Sequence, residues 1–228
     1  MKRNTLILFV LLLTLTTCGP DVKYTEPQPK GISNLKSIPT EYHGSFKNLT
    51  DSTSIIIDSF SIKKEWKSTE LIHRDSLEKE LKMPIKNDTI LIIKDKLLLD
   101  KTAESLLLTI KFCNDSAKVR VRGLETLFAL SDSQLVRAYK SFCFLNFKTK
   151  DGYWLVKTLK LNGDLLDYSE LIDYKEIENF GSIINITSIK DTSNKVVEYR
   201  LSPSRKELRK ILKEKKLINS FKKILDKK

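Results

Sequence analysis

The chain has 228 residues, with 41 Lys or Arg against 29 Asp or Glu, a formal charge of +12 and 40% hydrophobic content. Its length allows one sizeable core or two small ones, and its cationic excess suits an anionic membrane face, lipid headgroups or an acidic partner. It carries no groove-reading motif, which sets nucleic acid aside as a partner.

Lys2 and Arg3 precede an apolar run over residues 6–13, and the stretch ends in Leu15-Thr16-Thr17-Cys18. A positive start, a short greasy centre and small polar residues at the exit make a secretory signal. The run falls well short of the roughly 20 apolar residues that a spanning helix needs. These residues resemble a bacterial lipoprotein signal with its lipobox. The resemblance implies that residues 1–17 are removed and that Cys18 becomes the lipidated first residue of the mature chain, whose formal charge falls to +10 as Lys2 and Arg3 leave. The alternative is an ordinary signal peptide in which Cys18 is incidental. In lipoproteins of this kind an Asp directly after the cysteine often retains the product in the inner membrane. Gly19 stands there, so the resemblance implies an outer-membrane anchor. An exported chain rarely meets nucleic acid, which strengthens that exclusion.

The Pro-bearing residues 18–39 read as the lipidated cysteine and a flexible tether, and residues 40–228 as one β-rich domain. A first strand pair is predicted over residues 42–46 and 55–60. A short charged helix follows over 75–83, with Leu77 and Leu81 four apart. Residues 89–93 and 97–99 read as strands around Lys94-Asp95-Lys96. Residues 106–122 read as a hairpin: Leu106, Leu108, Ile110 and Phe112 share one face, Asn114-Asp115-Ser116 supplies the turn, and Ala117-Lys118-Val119-Arg120-Val121-Arg122 alternates apolar with cationic. Residues 132–139 read as a short helix capped by Ser131 or Asp132. Two strands, 142–147 and 153–161, flank Lys150-Asp151-Gly152, and Asn162-Gly163 forms a tight turn. A later hairpin spans 183–189 and 196–201. The last helix, about residues 203–226, opens on the capping box Ser204-Arg205-Lys206-Glu207 and carries the stripe Leu208, Ile211, Leu212, Ile218, Phe221 and Leu225, with a break near Lys215 conceivable. The fold class is therefore mainly β, an antiparallel barrel, sandwich or set of curled sheets, closed by a basic C-terminal helix, with α+β as the alternative.

Several groups are candidates for chemistry. Residues 202–228 hold eleven Lys or Arg against Glu207, Glu214 and Asp226, a local excess of +8. Lys210, Lys213 and Lys222 are candidate contacts with a membrane or acidic partner; the alternative is a stripe packed on the sheet with solvated lysines. Asp164, Asp167, Glu170, Asp173 and Glu176 recur every third residue, with Glu178 beyond, but lack the order of a calcium loop, and pairing with the basic helix or solvation accounts for them. Cys113 and Cys143 read either as two buried thiols or as a disulfide. His43 and His73 lack ligand spacing, so no metal or other cofactor is expected. No Gly-x-Ser-x-Gly elbow, Walker loop, Gly-x-Gly-x-x-Gly turn or His-Glu-x-x-His helix is present, and no catalytic residue is assigned. His73 stands in a charged stretch, and Asp164 with Asp167 is one carboxylate pair among many; a cell-envelope hydrolase is the weakest reading.

Trp66, Phe142, Phe144, Phe147, Tyr153 and Trp154 concentrate partly in one hairpin. They read as core, or, for Phe142, Phe144 and Trp154, as the lining of an apolar pocket. Glu41-Tyr42-His43-Gly44-Ser45-Phe46 resembles the first-strand Gly-x-Trp signature of lipocalins, with Phe46 at the Trp position. That resemblance implies a carrier of a small apolar ligand. The leading expectation remains an envelope-anchored lipoprotein with a binding or structural role at the membrane surface.

Overall fold

A computed structural model describes residues 19–81, 87, 89–93, 103–218 and 220–224. The expected signal peptide, Cys18 and the expected strand 97–99 lie outside the described residues. The strands are β1 (Asp21–Tyr24), β2 (Gly44–Asn48), β3 (Ser54–Ile57), β4 (Ser61–His73), β5 (Thr89–Ile93), β6 (Ala103–Cys113), β7 (Ser116–Ala129), β8 (Gln134–Tyr139), β9 (Phe142–Lys148), β10 (Trp154–Asn162), β11 (Leu165–Glu170), β12 (Ile186–Lys190), β13 (Val196–Leu201) and β14 (Phe221–Lys223). Among the described residues two α-helices accompany them, α1 (Arg74–Leu81) and α2 (Arg205–Glu214). The fold is mainly β, as expected, with the basic helix near the C-terminus.

The chain forms two compact units. The first holds residues 19–31, Phe147–Val156 and Glu170–Lys216; the second holds Ile32–Asn146, Lys157–Ser169 and the described part of Leu217–Lys228.

In the first unit β13 is central, pairing antiparallel with β12 and parallel with β1. Part of the segment expected to be a tether forms a strand. Four residues of β1 are in register with β13, from Asp21 opposite Glu198 to Tyr24 opposite Leu201, and Tyr24 also faces Trp154 of β10. Ladder hydrogen bonds and the burial of Tyr24 outweigh the loop signal of the surrounding prolines. α2 begins as its sequence predicts. Ser204 Oγ accepts from the Glu207 N–H, and the Glu207 carboxylate accepts from the Ser204 N–H at 2.7 Å. Leu208 and Ile211 are buried beneath it.

The second unit is an antiparallel sheet whose order runs β11, β14, β2, β3, β4, β7, β6, β5. The order is open, ending on β5, and is not a closed barrel. Its backbone is the β4–β7 ribbon, in register from Ser61 opposite Ala129 to His73 opposite Ser116. The 106–122 hairpin forms as β6 and β7, with Asn114 at φ 55 in its turn. Gly123 permits the close approach of β4 and β7 at their middle: a Cβ there would lie 2.2 Å from the indole of Trp66.

Two expected helical stretches are strands instead. Residues 134–139 form β8, paired with β9, and not the helix expected over 132–139. Asp132 and Ser133 make the tight connection, with Ser131 and Gln134 exchanging backbone hydrogen bonds at 3.0 and 3.3 Å. Val136 is buried and bridges Leu35, so tertiary pairing overrides a capping signal. The second correction is at the C-terminus. α2 stops at Glu214, close to the break conceived at Lys215, and Phe221, Lys222 and Lys223 form β14, in register with β11 and β2. Ile218 and Phe221 thus leave the stripe; Leu225 lies outside the described residues.

Candidate functional site

The candidate lysines fall into different settings. Lys210 and Lys213 are exposed on α2, on the side away from buried Leu208 and Ile211. The apolar stripe of this helix is therefore buried and is not open to a bilayer; what α2 offers is charge alone. Lys222 belongs to the second unit, on β14, with its ammonium 3.5 Å from the carboxylate of Asp164.

The acidic series is dispersed as well. Asp167 is buried and accepts from the Ile218 N–H and from Ser169 Oγ, both at 2.7 Å, so it fixes the approach to β14. Asp173 caps a 3-10 turn over Tyr174–Phe180, accepting from the Lys175 N–H at 2.9 Å. Lys215 donates to the carbonyl oxygens of Glu170 and Leu171. Among the described residues no three His, Cys, Asp or Glu side chains converge as a metal site. His43 Nε2 lies 2.9 Å from the Ile38 carbonyl, and His73 Nδ1 lies 3.9 Å from an Asp75 oxygen on the surface.

The aromatic candidates are core or surface stacking partners. Phe142 and Phe144 are buried in the second unit with ring centroids 6.4 Å apart, and the Lys160 ammonium lies 4.4 Å above Phe142. Trp154 is buried in the first unit, where Lys148 approaches its ring at 5.9 Å. Tyr153 stacks under the Arg200 guanidinium at 4.4 Å. That guanidinium joins a network the sequence did not disclose. Lys23 Nζ bonds Asp151 at 2.7 Å and Glu198 at 2.6 Å, and Arg200 bonds Glu198 at 2.6 Å. The Lys23 bond holds the Asp151 carboxyl down to about 2, with Thr149 adding to the effect. Every charge in it is matched, so it staples β1 to its neighbours and leaves no group poised for proton transfer.

Cys143 is a buried free thiol; the side chain of Cys113 lies outside the described residues. Burial, with a smaller contribution from the charge of Glu41, pushes the Cys143 thiol up to about 12. The unfolded chain releases this proton near pH 9 and the folded chain does not. The Cys143 thiol therefore leaves stability unaffected below about pH 9 and lowers it as pH rises from there towards 12. Native protein is expected to resist iodoacetamide at pH 8, and Cys143→Ala to make the alkaline loss of stability less steep. Rapid native alkylation, or an unchanged alkaline slope in Cys143→Ala, would contradict this placement.

The first unit holds a cavity of about 260 Å³ where the described chain begins. Gly19, Asp21, Val22, Glu170, Ile172 and Tyr174 are among its walls. Gly19 lies against the Tyr174 ring so closely that a Cβ would fall 2.2 Å from it. Position 19 thus has a packing reason to be glycine, independent of any sorting signal. The residue next to the expected anchor is held against the folded unit, and β1 starts two residues further on. Among the described residues no helix is long and apolar enough to cross a membrane. No protein-family model, no curated protein and no solved structure matches the chain.

Proposed function

We propose that the chain is an exported lipoprotein, anchored through Cys18 in the outer membrane, that acts by binding at the membrane surface. The observation that carries the reading is the leader, Lys2 and Arg3, the apolar run and Leu15-Thr16-Thr17-Cys18, followed by Gly19 where an Asp would favour the inner membrane.

The short link to the fold supports a role close to the bilayer. From Cys18 to Asp21, the first residue of β1, there are three Cα steps, a reach of roughly 11 Å at full extension. A lipid on Cys18 would therefore hold the first unit against the headgroups. The matched charges of the Lys23 network and the absence of a catalytic motif favour binding over turnover.

The test is labelling with palmitate in a bacterial host, followed by separation of the two membranes. Wild type is expected to carry the label and to fractionate with the outer membrane. Cys18→Ser is expected to carry none. Label retained by Cys18→Ser, or an unlabelled wild type, would overturn the reading.

A further inference from the structure

α1 covers one face of the sheet formed by β4, β7 and β6. Leu77 of α1 is buried with Leu108, Ile110, Ala117 and Val119, and Ile72, Phe112 and Val121 pack beside them. Side chains alternate across a strand, so the intervening residues point the other way. On β7 those are Lys118, Arg120 and Arg122. The register sets Leu71, Thr69 and Lys67 of β4 opposite them on one side, and Lys111, Thr109 and Leu107 of β6 on the other.

The result is an open cationic face. Lys67, Lys111, Lys118, Arg120 and Arg122 are all exposed, and Leu71 is 73% exposed among them. Two like-charged pairs stand directly opposite each other, Lys67 with Arg122 and Lys111 with Lys118. Such pairs weaken a sheet. The first is relieved from within: Glu65 is buried beside it, bonds the Arg122 guanidinium and lies 3.4 Å from Lys67. For Lys111, Lys118 and Arg120 no acidic partner exists among the described residues. Folding alone gives no reason to set these cations side by side.

We propose that this face docks on a bilayer surface of anionic, phosphate-bearing lipid headgroups, an inference that rests on the membrane-surface role above. Two features select a lipid surface over an acidic protein. The cations lie on one face of three adjacent strands, spaced about 4.8 Å across strands and about 6.7 Å along them, which meets a repeating array of phosphates. Leu71, apolar and exposed at the corner of the grid beside Lys118, suits the interfacial layer beneath the headgroups.

The test uses the full chain in neutral maltoside micelles, with the thermal midpoint recorded after adding phosphatidylglycerol, phosphatidylcholine or inorganic phosphate. Phosphatidylglycerol is expected to raise the midpoint by several degrees, because it binds the folded face and removes the Lys111–Lys118 repulsion. Phosphatidylcholine and inorganic phosphate are expected to leave it unchanged. Lys118→Gln with Arg120→Gln should lose at least half of the shift while raising the lipid-free midpoint slightly, which also shows that the variant folds. Lys206→Gln with Lys210→Gln and Lys213→Gln, which removes more charge from α2 than the first variant removes from β7, should keep the shift. An equal response to phosphatidylcholine or inorganic phosphate overturns the proposal, as does a full shift in the β7 variant or a lost one in the α2 variant. The mass of the same sample reports lipid on Cys18, so failure of the anchor and failure of the docking face are read separately.

Discussion

Ending the chain after Lys216 is expected to unfold the antiparallel sheet of the second unit. β14 is only Phe221–Lys223, yet it lies between β11 and β2, in register with both. Its removal strips hydrogen-bond partners from the interior of the sheet, not from an edge. The Leu49 N–H loses the Ser220 carbonyl, and the carbonyls of Asp164 and Ser45 lose the N–H groups of Lys223 and Ile224, each now bonded at 2.8 or 2.9 Å. The buried carboxylate of Asp167 loses the Ile218 N–H. The buried Asp167 carboxylate left short of a donor costs about 1–3 kcal/mol and each lost backbone bond about 0.5–1.5 kcal/mol, so the loss is at least about 2.5 kcal/mol, a large part of the stability of an ordinary domain. Urea unfolding followed by far-ultraviolet circular dichroism checks this. Asp167→Ala, which removes one of these bonds, is the milder companion. A truncated chain with the midpoint of wild type would show that β14 is not part of the sheet in solution.

Phe128→Ala is expected to destabilise the second unit by about 3–5 kcal/mol and to lower its thermal midpoint by roughly 10 °C. Phe128 is fully buried on β7 and stands opposite Ile62, also fully buried, while Ile62 faces Ile57 on its other side. The ring thus closes the core where β3, β4 and β7 meet, and the Leu130 N–H bonds the Phe60 carbonyl at 2.8 Å just beyond it. Ile62→Ala opens the same space, so the two changes together should cost less than their sum. A loss under 1 kcal/mol in Phe128→Ala, measured by calorimetry, would place this residue outside the core.

Local patterns carried the elements whose own residues pay for their shape. The β6–β7 hairpin was legible because alternation and turn chemistry agree over its length, and the start of α2 because both halves of its capping box are in the sequence. The elements that were missed depend on distant partners. β4 interrupts its alternation with Lys63, Lys64 and Glu65, and only the Arg122 and Lys67 charges beside it explain why Glu65 is tolerated in a buried position. β1 looked like a proline-bearing tether, since nothing in Asp21–Tyr24 announces the β13 strand that lies almost two hundred residues away. β14 continued an apolar stripe on a helical period, and the competing β11 and β2 edges decided its state. The cationic face was half legible. Alternation predicted that Lys118, Arg120 and Arg122 share one side, whereas the bareness of that side depends on α1 covering the other.

The intact mass of the protein isolated from a bacterial envelope tests the lipoprotein reading most directly. The account predicts a chain beginning at Cys18, heavier than its sequence by a diacylglyceryl group and an acyl chain, with the added mass confined to the N-terminal peptide. A mature chain that starts at another residue, or one that starts at Cys18 and carries no lipid, would contradict it.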